Sequence, residues 1–246
     1  MVISSKDNKL IKLLQKLTQK KYRDEYGLFV VEGFRNVKDI IDFDKTLIQN
    51  IFISNSSYDN IDNSFENALL VEERILNSVS ETKSPQGIMA IVKKPESKNI
   101  TSDYVLFLDK VRDPGNVGTL IRTACACGYN DVILSDCADP FSGKVARSTM
   151  SALVKINLVF SNERELELLK SNGYEIICAD LDGKNLFEYK PTSKICVIIG
   201  NEANGISDEI KALSHTSLTI PMSKDIESLN AAISGGIMMY NLKYNK

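Results

Sequence analysis

The chain has 246 residues, of which 43% are hydrophobic and 25% charged, and a formal net charge of −2. That length buries a core as one large domain or two small ones, and the near-neutral balance excludes a protein coated everywhere in positive charge. No run approaches the roughly 18 apolar residues of a membrane helix, and Met1-Val2-Ile3-Ser4-Ser5-Lys6 lacks the apolar stretch of a signal peptide, so neither a membrane span nor secretion is expected.

The cytoplasm is the expected compartment, and the five cysteines then read as reduced thiols. Cys125 and Cys127 lie two apart in a helical pattern and point to different sides, so no metal site is expected from them.

Residues 1–23 carry seven basic residues (Lys6, Lys9, Lys12, Lys16, Lys20, Lys21, Arg23) and one acid, Asp7. Leu10, Leu13, Leu14 and Leu17 recur at helical spacing, which puts the lysines on the polar side of an amphipathic helix. Such a block suits an arm that follows phosphates, and it equally suits a solvated helix face.

Gly27 ends that pattern. Leu28 to Val31 predicts a strand, Phe34, Val37, Ile40 and Ile41 a helix, and Ile48 to Ile53 a second strand. The Asn/Ser-rich run 54–64 predicts a loop. A strand at Leu69 to Val71, a helix over Glu72 to Val79 and a strand at Ile88 to Val92 complete a small α/β domain over residues 1–95. Residues 96–103, polar and aperiodic after Pro95, read as a linker to a second domain at 104–246.

The second half alternates. Strands are expected at Tyr104 to Leu108, Val132 to Leu134, Ile156 to Val159, Tyr174 to Ala179, Ile195 to Ile199 and Leu218 to Ile220. Helices are expected at Asn116 to Cys127, around Lys144 to Leu153, at Glu163 to Lys170, at Ser207 to Leu213 and from Ser228 onward. This argues a mostly parallel sheet covered on both faces. Ser142-Gly143-Lys144-Val145 lacks the spacing of a phosphate loop, and Gly115-x-x-Gly118 lacks the third glycine of a dinucleotide fingerprint.

Three glycine- or proline-punctuated turns stand at the ends of expected strands, where main-chain groups can approach a small ligand. They read Asn116-x-Gly118-x-x-x-Arg122, Gly200-x-Glu202-x-x-Gly205-Ile206, and Ile220-Pro221-Met222 with Ser228-Leu229-Asn230. In this order they resemble the three motifs of the SpoU (TrmH-type) RNA ribose 2'-O-methyltransferases of the SPOUT superfamily. Upstream, Phe29-Val30-Val31-Glu32-Gly33-Phe34-Arg35 and Lys83-Ser84-Pro85-Gln86-Gly87-Ile88 resemble the ribosomal-protein-like substrate-binding domain that precedes the catalytic domain in many members.

The resemblance implies an α/β SPOUT domain with a parallel sheet and a C-terminal trefoil knot, working as a homodimer. It implies S-adenosylmethionine as cofactor, no metal, and a ribose 2'-hydroxyl in structured RNA as acceptor, with ribosomal RNA the first expectation and transfer RNA the second. A catalytically silent RNA-binding assembly factor is the competing reading. The motif matches assign catalysis to Arg122, Asn116, Glu202, Ser228 and Asn230, and cofactor contact to Gly200, Ile220, Met222, Leu229 and Asn230. In the front domain they make Glu32, Arg35 and Gln86 RNA contacts. One departure is Ala231-Ala232, where members commonly carry a small residue and then serine.

Chemistry adds detail. An arginine stays protonated at neutral pH, its reference pKa lying above about 12, so Arg122 is expected to stabilise charge on the attacking oxygen and not to take its proton. Asn116, after Pro114-Gly115, is expected to cap its helix, Ser228 to cap the last one, and Glu202 to orient Arg122 or an RNA group.

Overall fold

The computed structural model describes residues 2–57, 65, 67–191 and 193–245, so Tyr58 to Ser64 of the expected 54–64 loop lie outside the described residues. It divides into two compact units, 1–95 with 139–155, and 96–138 with 156–246.

The first unit begins with α1 (Lys9–Leu17), capped by Asn8, whose side chain accepts from the Leu10 N–H at 2.9 Å. Ile11, Leu14 and Leu17 are buried while Lys9, Lys12 and Lys16 face solvent. A second helix, α2 (Lys20–Tyr26), ends on Gly27 at φ 63°, the left-handed conformation that glycine adopts without strain. The sequence gives no apolar signal for α2, because the residue it buries is Arg23.

The unit continues with β1 (Leu28–Glu32), α3 (Phe34–Asp44), β2 (Ile48–Ser54), β3 (Leu69–Val71), α4 (Glu73–Asn77) and β4 (Ile88–Lys93). The sheet order is β1-β4-β2-β3, antiparallel about β4 and parallel between β2 and β3. One face packs Phe52, Met89 and Ile91 against the apolar side of α1.

The second unit holds β5 (Tyr104–Asp109), α5 (Pro114–Cys127) and β6 (Asp131–Ser135). The chain then leaves it for α6 (Gly143–Thr149), which belongs to the first unit, as does the 3-10 turn Ala152–Val154. This excursion is absent from the contiguous division read from sequence. Its cause is local: Phe141 packs on Phe29, ring centroids 5.2 Å apart, and Asp139 meets Arg23. Arg23 is 4% exposed; Nε and Nη2 donate to Asp139 Oδ2 at 3.1 and 2.6 Å, and Nη1 donates to the Leu17 and Thr18 carbonyls at 2.8 and 2.7 Å.

The second unit resumes with β7 (Asn157–Phe160), α7 (Glu163–Ser171), β8 (Glu175–Asn185), β9 (Ile195–Ile199), α8 (Asp208–Lys211), β10 (Thr216–Thr219) and α9 (Ala231–Tyr244). All neighbours in its sheet, ordered β10-β8-β9-β5-β6-β7, are parallel. Val105 to Asp109 and Ile195 to Ile199 are buried along their length, which is why both read as near-continuous apolar runs. β8 runs further than expected and bulges: Ser217 pairs with Cys178, but Leu218 pairs with Lys184. A Cβ on Gly183 would lie 2.7 Å from the Ser217 carbonyl carbon, so the bulge closes only on glycine.

α9 lies against α5 at Gly235, where a Cβ would overlap Leu120 Cδ2. It starts at Ala231, not Ser228, and buries Ala232, Met238, Met239 and Leu242 while exposing Ile233, Tyr240 and Tyr244. Among the described residues no helix is long and apolar enough to cross a membrane.

Candidate active site

Because β5 pairs with β9 in the register Leu108 with Ile199, the turns that follow these strands emerge side by side at the carboxyl edge of the sheet. Ligands of open parallel sheets bind at this edge. α5 begins with Pro114 at its first position, and Asp113 is its cap, accepting from the Asn116 N–H at 2.9 Å. This corrects the assignment of Asn116 as cap, and Asp-Pro is the signal that would have found it. Asn116 is 8% exposed, and its side chain is free for another task.

That task is to join the motifs. Asn116 Nδ2 donates to Glu202 Oε1 at 2.9 Å, and Asn116 Oδ1 accepts from Asn230 Nδ2 at 2.9 Å. Glu202 also accepts from the Arg112 and Asp113 main-chain N–H groups, at 3.2 and 3.1 Å. Burial pushes the Glu202 carboxyl up, but the Asn116 amide and these main-chain donors outweigh it and hold it below its ordinary value of 4.5. Both carboxylate oxygens are thus engaged by the turn after β5. Glu202 fixes the first motif against the second and does not pair with Arg122 in this chain.

Asn230 Oδ1 accepts from the Ala232 and Ile233 N–H groups at 2.9 and 3.2 Å, so Asn230 caps α9. This replaces the expected cap at Ser228. Ala232, where relatives were expected to carry serine, is 5% exposed at the start of α9, and its apolar methyl suits that setting.

The second and third motifs enclose a cleft of about 480 Å³ lined by Gly200, Glu202, Ile220, Met222, Ser228, Leu229 and Asn230. A Cβ on Gly200 would overlap the Gly205 main chain, with which the Asn201–Gly205 bridge closes the turn. Among the described residues no partner takes a main-chain N–H or C=O of Met222, Ser228 or Leu229, so these groups are open to solvent or to a ligand in the cleft. Volume and unspent main chain fit a nucleoside-sized cofactor. The motifs did not reveal Ala179, Asp180 and Leu181 of the β8 bulge, which also line the cleft. Burial pushes the Asp180 carboxyl up, but the ion pair with Lys211 overrides it and keeps the group low.

Arg122 does not line this cleft. It stands exposed on α5, with no hydrogen-bond or ion-pair partner among the described residues.

In the first unit, two of the three expected RNA contacts have internal work. The Glu32 carboxylate accepts from Ser80 Oγ at 2.7 Å, the Glu81 N–H at 3.2 Å and Thr82 Oγ1 at 3.1 Å, and Arg147 lies 3.7 Å away. Its side chain is 11% exposed, so it serves the fold. Gln86 Oε1 accepts from the Phe34 N–H at 3.1 Å, at the start of α3, where Gly33 offers no side-chain cap. Arg35 alone is exposed and uncommitted among the described residues.

Residues 103–240 match the SpoU rRNA Methylase family, and residues 8–90 match the MRM3-like substrate binding domain. The 23S rRNA (guanosine(2553)-2'-O)-methyltransferase RlmP of Bacillus subtilis is 32% identical over 98% of this chain and 98% of its own. The mitochondrial rRNA methyltransferase 3 of Xenopus tropicalis is 26% identical over 96% of this chain and 74% of its own. The crystal structure of AdoMet-bound rRNA methyltransferase from Sinorhizobium meliloti superposes with a TM-score of 0.86 at 27% identity, covering 100% of this chain and 98% of that one. Three motif turns built on one parallel sheet and a match across both units lead to the same place: the chain belongs to the SpoU rRNA methylase family.

Proposed function

We propose that the protein transfers a methyl group from S-adenosylmethionine to a ribose 2'-hydroxyl of ribosomal RNA, as a homodimer in the cytoplasm. The observation that carries this reading is the Glu202–Asn116–Asn230 network, which ties the three motif turns together beside the cleft. The names of the relatives select ribosomal over transfer RNA.

Gly200, Ile220, Met222 and Leu229 would hold the cofactor, the last three through apolar side chains and Met222 and Leu229 also through unspent main chain. S-adenosylmethionine supplies a methyl already activated by the positive sulfur, so this chain's residues have to position and stabilise. Holding the acceptor oxygen in line at near-attack distance can contribute on the order of 7–11 kcal/mol. With the cofactor bound, the 2'-oxygen would form its bond to carbon as the carbon–sulfur bond breaks, and its proton would leave to water or a neighbouring phosphate. Arg122, a permanent cation, would stabilise the negative charge developing on that oxygen. Ser228 lines the cleft and would hydrogen-bond the acceptor.

The exposure of Arg122 outside its own cleft supports action across a dimer. α9 presents Ile233, Ile237, Tyr240 and Tyr244 at helical spacing, with Ile233, Tyr240 and Tyr244 at 54%, 47% and 64% exposure, an apolar stripe suited to a second copy. The trefoil knot at the C-terminus is part of the same proposal and rests on the family likeness. Transfer of labelled methyl to ribosomal RNA tests the activity, and mapping 2'-O-methyl groups with and without the protein identifies the nucleotide. No transfer to any RNA would favour the silent assembly factor.

A further inference from the structure

We infer that the corner between α1 and α2 is a stacking site for an unpaired nucleotide of the RNA, which deepens the proposed function and rests on it. Tyr22 and Tyr26, one turn apart on α2, lie with ring centroids 6.1 Å apart and planes 17° from parallel. Tyr26 leaves 38% of its surface to solvent, more than a residue serving only the core. Lys16, on α1, reaches over both rings, its Nζ 5.3 and 5.9 Å from their centroids, and Lys21 Nζ lies 5.8 Å from that of Tyr22. The nearby acid Asp24 is already neutralised by Lys20 and Lys94, both at 2.6 Å.

An aromatic face beside two cations is what an unstacked base with its phosphate requires. The site is held rigid from below. Arg23, buried, binds the Leu17 and Thr18 carbonyls at the end of α1, so the backbone that carries Lys16 is held against α2 before any ligand arrives. Glu32 and Gln86 are engaged within the fold, which leaves Arg35 and this corner as the exposed candidates of the front unit.

The test measures binding of the full chain to a short labelled single-stranded RNA and to a duplex of the same length, over a series of salt concentrations. Tyr26→Ala weakens single-strand binding about five- to hundredfold and leaves duplex binding within about twofold, while Tyr26→Trp keeps the wild-type value. Lys16→Gln with Lys21→Gln lowers the slope of log affinity against log salt by about 0.7 for each cation removed. Wild-type affinity in Tyr26→Ala, or equal losses on single strand and duplex, overturns the inference. Methyl transfer by the same preparations keeps the two readings apart. A wild type that methylates RNA but binds it without regard to Tyr26 removes the stacking site alone. A wild type that needs Tyr26 to bind RNA yet transfers no methyl supports the site and removes the enzyme reading.

Discussion

Asn230 and Asn116, 114 residues apart in sequence, meet side chain to side chain at 2.9 Å, and the same Asn116 amide donates to Glu202. One small residue therefore registers three turns. Asn116→Ala takes one hydrogen bond each from Glu202 and Asn230, which keep their main-chain partners, a cost of about 1–3 kcal/mol in stability. Methyl transfer falls further than stability does, because loosening the turns acts on the cleft itself. Thermal melts beside turnover check this, and a variant with full turnover would show that the network is dispensable.

Arg122→Ala is expected to lower turnover by at least about a hundredfold, the scale of losing one charge-stabilising donor. Cofactor affinity by calorimetry should stay within a few fold, since Arg122 does not line its own chain's cleft. Arg122→Lys keeps the charge and loses the planar fork, so it recovers only part of the rate.

Gly200→Ala places a methyl on the Gly205 main chain and is expected to abolish cofactor binding. Gly205→Ala meets no atom within 4 Å, but it must adopt φ 68° and costs about 1–2 kcal/mol. Cofactor titration of the two variants separates steric closure from backbone strain.

The lowered Glu202 carboxyl predicts an acid limit. A carboxyl below its unfolded value stabilises the folded turn fully above that value, near 4.5, and the contribution is lost as pH falls through the lowered one. Cofactor affinity should therefore hold from neutrality to about pH 5 and weaken below it, and Glu202→Gln should flatten that dependence. Calorimetry across the range decides.

Arg23→Ala removes the buried partner of the largely covered Asp139 carboxylate and is expected to destabilise the first unit by up to about 3–5 kcal/mol. Replacing both, with Arg23→Met and Asp139→Leu, costs less, because no charge is then left unpaired. Chemical denaturation of wild type, Arg23→Met, Asp139→Leu and the double variant gives the coupling.

The motif turns and the parallel sheet were legible because both rest on local rules: apolar runs for strands buried on both faces, and glycine where the main chain must approach. Gly200 is such a position, whereas Gly183, in a bulge that no local pattern signals, was not read. Caps were displaced by a few residues, since Asp113 and Asn116, or Ser228 and Asn230, are equally good cap types and only geometry chooses between them. α2 was hidden because Arg23 occupies the place of an apolar residue. The role of Glu32 could not be read, since its partners Ser80 and Thr82 stand 48 and 50 positions away.

The polypeptide that completes the first unit is supplied in two instalments, and the second, 139–155, arrives only after the chain has laid down β5, α5 and β6. A graft of residues 1–95 onto another enzyme would travel without the counter-ion of Arg23 and without the ring that covers Phe29. Transplanting this unit therefore requires moving two non-adjacent stretches of gene together, and on a growing ribosomal product the unit stays incomplete until more than half of the protein has been made.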